Sequence, residues 1–189
     1  MQTMYDRASA RLLDITRTIS ADQFENRTPC TKYNVRGLLN HLFFVSQLML
    51  DAAEGKDVDM TSTPPDYVGQ QAEWHRRFED KITEVAETFS RPEVQKGDDL
   101  LGVPRQMAVY MPLFDLVIHA WDLARATEQS CTPDQETVEA LREFAEGMIP
   151  QGRKMGAFAE EFPVGEKDSD FAKLLGLTGR DPSWTGIRS

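Results

Sequence analysis

Cysteine is scarce in this chain: Cys30 and Cys131 are its two copies among 189 residues, and no Cys-x-x-Cys pair exists. A disulfide framework and a finger-type structural zinc site are thereby excluded. Basic residues are outnumbered, with 21 Lys and Arg against 31 Asp and Glu and a formal net charge of -10. Nucleic acid and anionic membrane surfaces both require concentrated positive charge, so neither is expected as a partner. Long apolar runs are also missing. The longest nearly apolar stretch, Leu42 to Leu50, is interrupted by Ser46 and Gln47, well short of the roughly 20 residues that span a bilayer. The opening Met1-Gln-Thr-Met-Tyr-Asp-Arg7 lacks the charged-then-apolar layout of a signal peptide. A soluble, cytoplasmic protein is the expectation. No strand alternation, internal repeat or low-complexity tract is evident, and histidine occurs three times, at positions 41, 75 and 119.

What is present is helical periodicity in a chain of one-domain length. Ala8, Leu12, Ile15 and Ile19 mark a first helix from about Met4 to Ile19, followed by a capping box at Ser20-Ala-Asp-Gln23. Asn34 is a credible N-cap for a second helix, Val35 to Glu54, whose stripe is Leu38, Leu42, Val45, Met49 and Ala52 and whose stop is Gly55. A polar crossover ending in Pro64-Pro65 leads to a third helix, about Trp74 to Ser90. The fourth runs from about Gln106 to Thr127, with Pro112 expected to kink its first turn. Thr132-Pro133-Asp-Gln135 reads as a capping box with proline at the first helical position of a fifth helix, ending near Glu146 before Gly147. Beyond it the pattern fades, save for a short helix from Ser169 to Leu175 ended by Gly176. The fold class expected is all-α: a four-helix bundle with an extra helix and an irregular C-terminal tail. Residues 1–149 form the bundle, and residues 150–189 are an extension packed on it within the same domain.

Two of the three histidines fall among apolar neighbours, His41 in Leu38-Leu-Asn-His41-Leu42 and His119 in Asp115-Leu-Val-Ile-His119. A histidine so placed is more often a hydrogen-bonded core residue than a ligand. Here Asp115 precedes His119 by four residues, so the two share one helix face and converge on one point. His41 lies seven residues after Asn34 and His119 eight before Thr127, about 10–12 Å from those helix ends at 1.5 Å per residue. In antiparallel helices the two histidines are level, and with Asp115 they form a two-histidine, one-carboxylate metal site. The same arithmetic puts Cys30 and Cys131 just outside that end of the bundle, as possible neighbours.

Three stretches carry a family resemblance: Thr28-Pro-Cys-Thr-Lys-Tyr-Asn-Val-Arg-Gly-Leu-Leu-Asn-His41, Asp115-Leu-Val-Ile-His-Ala-Trp-Asp-Leu-Ala124-Arg-Ala-Thr, and Gly179-Arg-Asp-Pro-Ser-Trp184. Together they resemble the actinobacterial DinB-like group related to mycothiol-dependent maleylpyruvate isomerase, over nearly the whole chain. The terminal Gly-Arg-Asp-Pro-x-Trp marks the subgroup and points to no chemistry. The resemblance implies an up-down-down-up bundle with a divalent metal near one end. The isomerase ligands, a histidine of the second helix and a Glu-x-x-x-His pair of the fourth, fall on His41, Asp115 and His119, with Asp replacing Glu. The isomerase also has a C-terminal domain that helps to form its active site, and the residues after Ile149 are too few to supply one.

Two imidazoles and a carboxylate suit zinc, nickel or ferrous iron, zinc or nickel first, and leave coordination positions open as catalysis requires. A low-molecular-weight thiol such as mycothiol in the open position would be activated toward a small electrophile, giving a thiol-dependent transferase or isomerase. Water there would give a small-molecule hydrolase, for which Asp122 is the available general base. The third reading is a metal-binding module without catalysis, and monomer and homodimer are both open. Asp122 could instead orient His119 or pair with Arg125 or Arg36. His75, off its helix's apolar stripe, is expected at the surface. Cys30 and Cys131 are expected to be inert rather than nucleophilic, and Trp74, Trp121, Phe43 and Phe44 to be core.

Overall fold

The computed structural model describes residues 1–59, 61–69 and 73–186. Seven α-helices lie among them: α1 Gln2–Thr16, α2 Val35–Ala53, α3 Trp74–Ser90, α4 Arg105–Ala108, α5 Tyr110–Ala126, α6 Gln135–Lys154 and α7 Asp170–Leu177. No strand occurs among the described residues, only the isolated bridges Arg27 to Asn34 and Leu100 to Val103. The all-α expectation holds.

Local chemistry accounts for the helix ends. The Asn34 side chain accepts a hydrogen bond from Gly37 N at 2.8 Å and caps α2, satisfying one of the orphan amides of its first turn. The capping box at Ser20 and Gln23 is present around a single 3-10 turn, Ala21–Gln23. The expected fourth helix is divided in two at Val109. Pro112 has no N–H to offer the Ala108 carbonyl four residues back, and its ring crowds that carbonyl, so the break falls there rather than as a kink within the first turn. Tyr5 exploits the opening, its hydroxyl donating to Val109 O at 2.7 Å.

Three further boundaries differ from expectation. The cap of α6 is Asp134, whose carboxylate accepts from Thr137 N, so Pro133 precedes the helix instead of opening it. Gly147 does not end α6, which continues through Pro150 to Lys154. A lone glycine costs a helix only about 1 kcal/mol, and α6 tolerates it. Helix α7 likewise runs past Gly176 to Leu177, and Gly179, at φ 81, takes the left-handed conformation after its end.

Helices α1 and α2 each pack against both α3 and α5, while α6 packs on α5 and α7 on α6. Side-chain contacts register the pairs. Tyr5 meets Val109 at the start of α1 and α5, and Gln129, just after α5, donates from Nε2 to Ile15 O in the last turn of α1 at 3.1 Å. Tyr5 stacks on Phe89 while the His75 ring bonds Ile19 O. Phe43 meets Phe78 edge-on and Lys81 donates to Gln47. Leu38, Leu39 and Leu42 of α2 and Leu113, Leu116 and Ile118 of α5 are buried, each contributing about 1.5–3 kcal/mol. The stretch Arg105–Ala126 is long and apolar enough to cross a membrane by length and composition, and most of it is buried inside the fold.

The crossover between α2 and α3 is latched to the start of α2. Asp66 accepts from Arg36, from Asn40 Nδ2 at 3.0 Å and from Gly69 N at 3.1 Å. A Cβ on Gly69 would meet the Arg36 guanidinium and the Asp66 carboxylate, so a larger residue there would push this latch aside.

Candidate metal centre

The loop before α2 is folded on itself: the Thr28 hydroxyl lies 2.7 Å from Tyr33 O and 2.9 Å from Cys30 O. Together with the Asn34 cap this fixes the first turns of α2, which carry His41. On α5, His119 is 7% exposed. The rings of His41 and His119 meet edge to face with centroids 5.1 Å apart. His119 Nε2 is 3.8 Å from Asp115 Oδ1, and one ligand atom from each of His41, Asp115 and His119 lies within 4.8 Å of the others. The three residues singled out in the sequence are thus brought together.

Each imidazole has a polar neighbour at Nδ1. His119 Nδ1 lies 2.9 Å from Asp122 Oδ2. Tyr33 stacks on His41 at 5.0 Å, its hydroxyl 3.3 Å from Nδ1. Burial, aided by the neighbouring His119, Lys32 and Arg180, pushes the His41 pKa down to about 3, so at neutral pH the ring is neutral, the form that ligates metals. Asp115 has a side chain 30% exposed, and desolvation raises its pKa against the opposing pull of His119 and Arg180. Burial would raise Asp122 as well, yet Arg180 and the hydrogen bonds from His119 and Arg180 hold it below the usual carboxylate value.

Asp122 pairs with neither of the arginines expected. Arg36 is bound to Asp66 and Arg125 donates to Trp184 O, whereas the partner of Asp122 is Arg180. Arg180 belongs to the Gly-Arg-Asp-Pro-Ser-Trp motif that the sequence reading left without chemistry. The signal was present there, but the contact spans 58 positions and no helical spacing foretells it.

The three residues open on a cavity of about 350 Å³, also lined by Cys30, Lys32, Tyr33, Val45, Phe158 and Arg180. Lys32 crosses its rim, its Nζ donating to Gly156 O and Ala157 O. Lys32, Tyr33 and Arg180 were not singled out as site residues in the sequence. Cys30 and Cys131 are both free thiols. Cys131 lines a different cavity, with Trp121 and Phe171, so the two are not paired. Desolvation raises both, Cys131 to about 11, and neither is a ready thiolate. His75 is exposed, as expected. Trp74, Trp121 and Phe43 are core, and Phe44 is half-buried.

The donor set fits a divalent ion. With bonds of about 2.0–2.2 Å, tetrahedral ligands stand roughly 3.3 Å apart, so the His119 and Asp115 pair at 3.8 Å need close by about half an ångström and no pair of the three, all within 4.8 Å, by more than about 1.5 Å. The chemistry of two neutral imidazole nitrogens and one carboxylate oxygen suits zinc or nickel.

Comparison with known proteins gives a consistent result. Two proteins from two strains of Mycobacterium tuberculosis, both described as uncharacterised, are each 26% identical to this chain over 181 residues, covering 93% of this chain and 95% of the relative. No solved structure matches. The family described as the mycothiol maleylpyruvate isomerase N-terminal domain matches residues 5–124, a span that contains His41, Asp115 and His119, and the chain belongs to that family.

Proposed function

We propose that this protein is a metal-dependent enzyme that uses a low-molecular-weight thiol of the mycothiol type in a transfer or isomerisation on a small electrophile. His41, Asp115 and His119 are its metal ligands, and zinc or nickel its metal. The observation that carries the reading is the convergence of three ligand atoms within 4.8 Å at the floor of a cavity. Membership of a family named for a mycothiol-dependent isomerase supports the thiol. A divalent ion held by His41, Asp115 and His119 would supply the charge that lowers the pKa of a nearby thiol toward neutrality. The S–H proton would pass to solvent and the sulfur lone pair would form a C–S bond at the electrophilic carbon, as that carbon's π pair moves onto an adjacent carbonyl in an addition or its leaving group departs with the bonding pair in a transfer. In an isomerisation the same bond later breaks and returns the thiol. His41 and His119 are held by Tyr33 and Asp122, and the apolar side chains of Val45 and Phe158 limit water at the cavity wall.

The hydrolase reading is less well supported. Asp122, its intended general base, is 0% exposed and engaged by both Arg180 and His119.

The reading includes the DinB-like up-down-down-up bundle, formed by α1, α2, α3 and α5. Support comes from the contacts between them: α1 and α5 are matched start to start and end to end, α1 and α3 start to end, and α2 and α3 advance in parallel from Phe43 and Phe78 to Gln47 and Lys81. It also takes residues 1–149 and 150–189 as one domain and the protein as cytoplasmic, monomer or homodimer.

The test supplies the zinc-loaded protein with thiol and electrophile together. Thiol consumption that disappears in His119→Ala is expected. Turnover without thiol would favour the hydrolase, and metal uptake without either turnover a binding module.

A further inference from the structure

Arg180 comes from the segment after α7, beyond residues 5–124 of the family match, yet it is 6% exposed. Its guanidinium grips Asp122 from two nitrogens, Nε at 2.8 Å from Oδ1 and 3.1 Å from Oδ2, and Nη2 at 2.7 Å from Oδ2. A fully buried carboxylate is costly unless paired, and this fork-like pairing fixes the plane of the Asp122 carboxylate as well as its charge. The Oδ2 atom so held also lies 2.9 Å from His119 Nδ1. A carboxylate oxygen accepts there only if Nδ1 carries the hydrogen, and in a neutral imidazole that places the lone pair on Nε2, the atom facing Asp115.

Arg180 is itself fixed from both sides. Its amide donates to Leu175 O at 3.0 Å, and Gly179 before it bonds Gly176 O. A Cβ at Gly179 would come 2.7 Å from Ala159 Cβ and from Glu160 O, so the chain passes too close beneath that segment for any side chain. Downstream, Trp184 O accepts from the Arg125 guanidinium of α5. The arginine is presented by a backbone that has little room to move.

We infer that Arg180 is a positioning residue of the metal centre: through Asp122 it locks His119 in the Nδ1–H tautomer with Nε2 free to ligate. The C-terminal segment is thereby a working part of the site. This inference rests on the metal reading above, but its tautomer half stands without the metal. A salt bridge serving only to hold the tail would change stability and leave the imidazole alone.

The experiment uses the full chain and two readouts. Zinc affinity is measured by competition with a chromophoric chelator, and the His119 tautomer by 15N NMR of the metal-free protein. Arg180→Gln is expected to weaken zinc binding about 10- to 100-fold and to release His119 into a mixture of tautomers. Arg180→Lys keeps the charge without the fork and should recover part of the loss. Arg153→Gln frees the same segment from Ala159 O and Leu177 O without touching Asp122, and should keep wild-type affinity and tautomer. Unchanged zinc affinity in folded Arg180→Gln, an equal loss in Arg153→Gln, or an Nε2–H tautomer in the wild type would each overturn the inference. If Arg180→Gln does not fold, Arg180→Lys and the wild-type tautomer decide. Failure of the wild type to take up zinc would refute the metal reading, and the tautomer comparison would then decide on Arg180 alone.

Discussion

Asp115 and Asp122 flank His119 on α5, four residues before and three after, and meet opposite fates. Asp115 faces the cavity beside Nε2, whereas Asp122 is sealed behind the ring against Arg180. Asp115→Ala is therefore expected to abolish stoichiometric zinc, and Asp122→Ala to weaken binding about 10- to 100-fold. Elemental analysis at equal zinc concentrations separates the two, and the reverse order would exchange their roles. The spacing of Asp115 and His119 was legible because i and i+4 share a helix face. The spacing of Asp122 allowed two roles, and only the tertiary contact with Arg180 chose between them. Asp66 offers a test in acid. Hydrogen bonds from Arg36, then from Asn40, hold its carboxyl well below the ordinary value. A depressed folded pKa adds stability above the unfolded value of about 3.9 that is lost as pH falls below it. Asp66→Asn should thus lower stability at neutral pH by up to about 1 kcal/mol, since both partners are partly exposed, and flatten the decline below pH about 4. A pH series of urea melts measures both.

At the scale of elements, the helices were legible wherever an apolar stripe and a capping side chain agreed, as at Asn34 and Val35–Ala53. Their ends were less so. Proline suits the first helical position, which would start α6 at Pro133, but the Asp134 carboxylate captures the Thr137 amide and sets the start two residues later, at Gln135. Gly147 was read as a stop, yet α6 runs on through it. A Cβ at Gly147 would meet nothing within 4 Å. Gly147→Ala should therefore stabilise the protein by about 0.5–1 kcal/mol, seen as a higher urea midpoint at constant slope. Asn34→Ala, which removes the α2 cap, should cost about 1 kcal/mol and loosen the turns that carry His41.

Over the whole molecule, the candidate centre joins parts far apart in sequence: the loop and first turns of α2, the middle of α5, and the segment after α7. Two of the three could be read from helical period and family likeness. The third could not, because the contact of Arg180 with Asp122 spans 58 positions and joins a residue after α7 to one on α5, which no local spacing reveals. A site assembled this way is coupled to folding. Zinc bound only by the folded state raises stability by about 2.7 kcal/mol at a free concentration 100 times the dissociation constant, and thermal melts with and without zinc should show that rise in the wild type and not in His41→Ala. The most direct test of the account is the metal content of untagged protein purified without chelator, beside His41→Ala and His119→Ala and after reloading each with zinc and nickel. Near-stoichiometric metal in the wild type, lost in both folded variants, is the predicted result; a wild type that takes up no metal, or a variant that keeps it, would contradict the assignment.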